Sequence, residues 1–338
     1  QDAAMTALVS VTGDKETEML VPVIKDGAPY ARKTAIDLVA KKCRKDYFQL
    51  IWPYTSSDDE NVRSAAYKAL ASLAGPDDQE ILIELITKTE NSEYVSYVQA
   101  AIASATSKIS DPESRSETIL KSMADGKSRE KLIPVLAKTG GREALKTVLN
   151  EFENGNAEIR DICFRTLTSW KDHTASSALY EICASGNKTF EEPAFLGYVS
   201  QIRGADITDE QKLLAYRKII PYALSAERKN HVLNEVGKLK TYPALFFAAR
   251  FLDDQSTSAV AANAVINIAL PSTGSGDGMY GLLVRDILSK ASEKLTGPES
   301  DYTREMISKY LSSMPSDEGF KPMFNGKDLT GWQGLVEN

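Results

Sequence analysis

Two histidines, three cysteines and adjacent acidic pairs such as Asp58-Asp59 and Asp253-Asp254 are the residues through which this sequence could do chemistry. Histidine is the commonest general base and metal ligand. His173 and His231 nevertheless lie far apart, one in a polar stretch between helices and the other beside Val232 and Leu233 in an apolar-striped segment, so both read as structural or surface residues. Asp58-Asp59 and Asp253-Asp254 have the composition of a glycosidase acid and base. Each pair stands just ahead of an expected helix, where capping and the helix dipole explain acids without catalysis. Cys43, Cys163 and Cys183 are odd in number and share no CxxC spacing, which signals neither a zinc site nor a disulfide framework. Cys163 and Cys183 fall on apolar stripes and read as buried thiols, with a bridge between the two as the alternative.

Other motifs are weaker. Gly276, Gly278 and Gly281 match GxGxxG, but a dinucleotide site needs a β-strand before the glycines. Here a helix ending at Leu270 precedes them, so an exposed loop is expected. Tyr47, Phe48, Trp52 and Tyr54, with Tyr94 and Tyr97, could stack on sugars, although aromatics at helical spacing usually belong to a core. No H-E-x-x-H, G-x-S-x-G or Walker phrase occurs. The expectation is therefore no catalytic, cofactor-binding or metal-binding residue in the chain, and no cofactor.

The elements that would position these residues form a repeat. In "DDENVRSAAYKALASLAG" the apolar residues Val62, Ala65, Ala66, Ala69, Leu70 and Leu73 fall on one helical stripe, with Asp58, Asp59 and Asn61 ahead and Gly75-Pro76 behind. The stripe recurs with anchors at 31, 62, 95, 128, 159, 192, 229 and 257, about every 32 residues. A second apolar helix lies between consecutive copies, as in "QEILIELITK" and "REALKTVLNEF". A lone pair cannot bury its stripe, whereas stacked pairs share a core. The expected fold is all-α, a right-handed α-solenoid of about eight helix pairs with a concave and a convex face. The expected organisation is helical repeats over 1–270, a flexible loop at 271–281, capping helices at 282–317, and a short β-like stub at 318–338.

The 338 residues carry 42% hydrophobic and 26% charged side chains and a net charge of -7. That balance repels a phosphate backbone, so nucleic acid is not an expected partner. The exception is a basic cluster of Arg32, Lys33, Lys41, Lys42, Arg44 and Lys45, which reads as a solvated helix face. No apolar run approaches the roughly 18 residues of a membrane span.

Residue identity separates this repeat from others of similar period. The ankyrin T-P-L-H and tetratricopeptide W-x-x-L-G-x-x-Y phrases are absent. The phrase at Asp58, Val62, Arg63, Ala66, Ala69 and Leu70, echoed around Arg32 and Arg160, resembles short HEAT-like repeats over roughly residues 5–270. Some such repeats are similar to those of bilin-attachment lyases, which makes a lyase-like enzyme on the solenoid an alternative to a scaffold. Near the end, "EGFKPMFNGKDLTGW" resembles the opening of a bacterial family associated with hydrolysis of 3-keto-disaccharides. The matching residues are Gly319, Phe320, Phe324, Asn325, Gly326, Lys327, Asp328, Leu329, Gly331 and Trp332, with Met323 where Leu is usual. That resemblance implies the first strand of a lectin-like β-sandwich whose remainder, and whose catalytic residues, lie past Asn338. Together the two resemblances imply a non-catalytic interaction scaffold in an exported bacterial protein, periplasmic or cell-surface in a Gram-negative organism. The start at Gln1 rather than Met agrees with that expectation. The implied partner is another protein, or the parent's own C-terminal domain on the concave face, with a carbohydrate as the alternative ligand.

Overall fold

An oxygen-bearing side chain that accepts from first-turn amides begins seven of the α-helices among the described residues. Asp59 accepts a hydrogen bond from Val62 N, Asn91 from Glu93 N and Tyr94 N, and Asn156 from Ile159 N. Each satisfies amides that the first helical turn leaves without intrahelical partners. In the computed structural model the described residues are 17–126, 128–271, 278–298 and 300–314, with isolated positions 13, 327 and 328. Among them are eighteen α-helices and no strand. The β-like stub at 318–338 falls outside the described residues, apart from Lys327 and Asp328.

The fold divides into two compact units, Gln1–Glu181 and Ile182–Asn338. In the first unit α1 (Leu20–Asp26) and α2 (Pro29–Lys41) are followed by the short α3 (Phe48–Ile51), then α4 (Glu60–Leu73) and α5 (Gln79–Lys88). Next come α6 (Ser92–Thr106), α7 (Pro112–Ala124), α8 (Arg129–Thr139), α9 (Arg142–Asn154) and α10 (Ala157–Thr168). The even members from α2 to α10 pack in one row, each against the next, while α5, α7 and α9 form a second row beside it. The expected stripe Val62, Ala65, Ala66, Ala69, Leu70, Leu73 is buried along its whole length, at 0–3% exposure. Burying a residue such as Leu70 is worth roughly 2 kcal/mol relative to exposure, so the seam between rows is the main source of stability.

Helix α11 (Ser176–Ala184) carries the division between the units. The second unit repeats the two-row plan. In it α12 (Glu191–Gly204), α14 (Ala226–Val236) and α16 (Ser258–Ala269) form one row, and α13 (Asp209–Ile219) and α15 (Tyr242–Ala249) the other. Then α17 (Leu282–Lys294) packs on α16, and α18 (Ser300–Ser313) on α17. A close approach fixes one of these packings: a Cβ on Gly237, just past α14, would lie 3.0 Å from Ala264 Cα of α16.

The sequence period reappears in the hydrogen bonds. Tyr54 Oη donates to Ile24 O, Gln49 to Asp78, Lys45 to Ala74 O, Gln99 to Lys131 O and Lys171 to Thr139 O, at separations of 29 to 32 residues. Helix α9 has no side-chain cap of its own, and the preceding helix of its row supplies one: the Glu113 carboxylate accepts from the amides of Arg142 and Glu143 at the start of α9. Neighbouring helix pairs are thus joined by polar contacts as well as by the apolar seam.

Candidate functional site

The residues singled out for chemistry are dispersed, and most serve the fold. Asp59 is a helix cap. Asp253 pairs with Lys290 at 2.6 Å, and Asp254 accepts from the amide and hydroxyl of Ser256 and from Lys229. The Lys290 ammonium holds Asp253 below the usual carboxylate range, and the Ser256 hydroxyl does the same for Asp254. A glycosidase general acid needs its pKa pushed up, so this pair is tuned the wrong way for that role.

All three thiols are free, which removes the bridged alternative for Cys163 and Cys183. Both are buried, and burial pushes Cys163 up to about 12 and raises Cys183 as well. A nucleophilic cysteine requires the opposite shift. Cys43 is exposed, in the residue after the C-cap of α2, with a φ of 53°.

The early aromatics divide between core and hydrogen bonding. Tyr47 and Phe48 are buried. The Tyr54 ring lies under the Arg32 guanidinium at 5.2 Å, and Tyr97 donates to Glu93. Tyr94 stacks on Tyr67 with ring centroids 4.2 Å apart. The glycine motif is likewise structural. A Cβ on Gly278 would collide with the Tyr310 hydroxyl, Tyr310 donates to Met279 O, and Gly281 starts α17 with a φ of 118°. Gly276 lies outside the described residues.

The basic cluster, expected as a solvated face, is largely committed to neighbours. Arg32 donates through Nε and Nη2 to Ile24 O and Lys25 O, Lys33 pairs with Asp37, Arg44 with Asp46, and Lys45 donates to Ala74 O. Burial and the adjacent Lys108 lower the Lys45 pKa.

Arg32 belongs to a recurring device. Arg63 donates to Ser57 O, Arg115 to Ile109 O and Ser110 O, Arg160 to Phe152 O and Glu153 O, and Arg304 to Leu295 O. Arg32, Arg63, Arg115 and Arg160 sit three residues past the first residue of their helices and Arg304 four. Arg63 and Arg115 bind carbonyls of the connecting segment, and Arg32, Arg160 and Arg304 bind carbonyls at the end of the preceding helix. The helix-end carbonyls have no intrahelical donor and carry the negative end of the helix dipole, so a guanidinium matches them in charge and geometry. Sequence reasoning found Arg32, Arg63 and Arg160 as part of a phrase. Their role was not visible, because the partner is backbone.

A cleft of about 460 Å³ lies between α12 and α14 of the second unit. Ser225 caps α14 and sets Arg228 in its first turn, where the guanidinium meets Glu191 at 2.8 Å and Glu192 at 3.5 Å. The Glu191 carboxylate raises the Arg228 pKa and keeps it charged. His231, Asn230 and Asn234 line the same cleft, and the buried Asn230 Oδ1 has no hydrogen-bond partner among the described residues. The arrangement can hold a polar group through amide, imidazole and carboxylate. Its only cation is already paired, and no thiol or hydroxyl nucleophile lines it. Sequence reasoning placed His231 in a repeat helix but could not bring it beside Glu192, 39 positions earlier. A second cleft, of about 560 Å³, runs between α5 and α7 in the first unit and is lined by residues of both charges, including Glu84, Lys88 and Lys121.

Among the described residues no helix is long and apolar enough to cross a membrane, and no group of three or more His, Cys, Asp or Glu is placed to hold a metal ion. A family model of HEAT repeats matches residues 17–103. These residues form α1 to α5 and most of α6, in agreement with the resemblance read from the Asp58–Leu70 phrase. No curated protein matches the chain.

Proposed function

We propose that this chain is a helical-repeat scaffold that works by binding other macromolecules rather than by catalysis. The observation that carries the reading is where the ionisable groups go. The arginines clamp helix ends, the acids cap or pair, and two of the three thiols are buried with raised pKa values. A stack of helix pairs spends its polar side chains on joining neighbours and presents long outer faces, which suits recognition. The HEAT match supports the same reading.

The phrase at 318–338 supports a finer version, in which the scaffold serves 3-keto-disaccharide chemistry in an exported bacterial protein of the periplasm or cell surface. The sugar-active residues in this version are not those of the helical part. The test is to incubate the purified 338-residue chain with a 3-keto-glucoside and follow release of the aglycone. No release above the buffer rate is expected, and turnover abolished by a substitution in the α12–α14 cleft, such as His231→Ala, would overturn the proposal.

A further inference from the structure

Helix α15 departs from the pattern of the other row helices. Its sequence, YPALFFAA, is apolar around the whole circumference, and such helices are normally enclosed on every side. Here one side is buried through Ala244, Leu245, Phe247 and Ala248, while Tyr242 and Phe246 remain 41% and 40% exposed. On α13, packed beside it, Leu214 is 62% exposed. Leu214 and Phe246 are 32 positions apart, one repeat, so they hold equivalent places on the outward side of one row. The Tyr242 ring lies 6.5 Å from that of Phe246, and its hydroxyl is fixed by donating to Tyr280 O and accepting from Tyr280 N. Rigid aromatics of this kind lose little entropy when a partner covers them.

Two arginines border this apolar patch. Arg217 is one turn from Leu214 and Arg250 one turn from Phe246, both are exposed, and neither has a side-chain partner among the described residues. Many other cations of the unit are matched, as Arg228 with Glu191, Lys229 with Asp254 and Lys290 with Asp253, although Lys188 and Arg285 are not among the described residues. A cation in the last turn is favoured by the helix dipole, which accounts for the charge but not for the apolar side chains beside it.

We propose that the outward face of α13 and α15 docks a partner protein segment that presents apolar side chains flanked by carboxylates. The apolar anchors would supply the affinity, and the guanidinium forks would orient the acids and accelerate encounter. An anionic bilayer fits less well, because the chain carries a net charge of -7 and lipid-binding segments concentrate about four to eight cations. A second copy fits less well too, since an isologous pair would bring the arginines of one patch toward those of the other. The inference rests on the scaffold reading and specifies one of its surfaces.

The test uses the full chain and a fluorescent amphipathic helical peptide bearing Leu and Phe on one stripe and Glu beside it. Comparison probes carry Lys in place of Glu, or Ser in place of the apolar residues, and vesicles of equal parts phosphatidylserine and phosphatidylcholine form a further arm. The Glu peptide is expected to bind in the micromolar range, with slowed amide exchange in α13 and α15. Phe246→Ala and Arg250→Glu should each weaken binding about tenfold or more, and Arg250→Glu should gain affinity for the Lys peptide. Both side chains are exposed, and unchanged circular dichroism would show that the variants fold. Equal binding by the variants, no binding of the Glu peptide, or vesicle binding lost through the same substitutions would each overturn the proposal. Protection of a different face would sink this surface and leave the scaffold reading standing, whereas keto-sugar turnover would sink that reading itself.

Discussion

Cys163 and Arg63 show how single side chains are committed to the fold. Folding holds the Cys163 thiol neutral up to about 12, whereas an unfolded cysteine ionises near 8.5. A raised acid stabilises the folded state fully below the unfolded pKa and loses that contribution as pH climbs toward the folded one. Between roughly pH 9 and 12 the urea midpoint of the wild-type chain should therefore fall faster than that of Cys163→Ala, with the two curves parallel at neutral pH. Arg63 is held by carbonyls rather than acids. Arg63→Ala leaves those carbonyls to water and should cost about 1–2 kcal/mol in urea unfolding. Arg63→Lys should recover only part of it, because an ammonium on a flexible stem is less pre-organised than the planar guanidinium. If Arg63→Ala were neutral, the clamp would be ornamental.

At the scale of the element, boundaries matter more than propensity. Helix α2 ends with Cys43 in a left-handed conformation, at a position glycine normally takes because it has no Cβ to strain. Cys43→Gly should therefore stabilise the chain by about 1 kcal/mol, read as a higher thermal midpoint. A lower midpoint would mean that the exposed thiol makes a contact worth more than the strain. Helix α15 shows the opposite case, a well-bounded helix with Thr241 as cap and Pro243 in the first turn, but with too much apolar surface for its place. Its ends follow local rules, and its outer face answers to something other than the fold.

For the whole molecule, the repeat was legible because burial is periodic. The stripe from Val62 to Leu73 and the spacing of about 32 residues are written in side chains, and the buried rows follow them. The clamps were half legible, since Arg32, Arg63 and Arg160 recur at one offset but bind carbonyls that no letter of the sequence records. The α12–α14 cleft was not legible at all, because it depends on which helices lie side by side. Stability in such an array is a sum of local cores and neighbour interfaces. Leu70→Ala is accordingly expected to cost about 3 kcal/mol and to speed amide exchange in α2, α4 and α6, leaving α14 and α16 at wild-type protection. Uniform loss of protection throughout the chain would contradict that locality. The arginine clamps reach back only a handful of positions, from Arg63 to Ser57 or from Arg160 to Phe152. A chain leaving the ribosome can therefore fasten each new rod to the one just made, before the distant remainder has been translated, and a low contact order of this kind favours rapid, stepwise assembly.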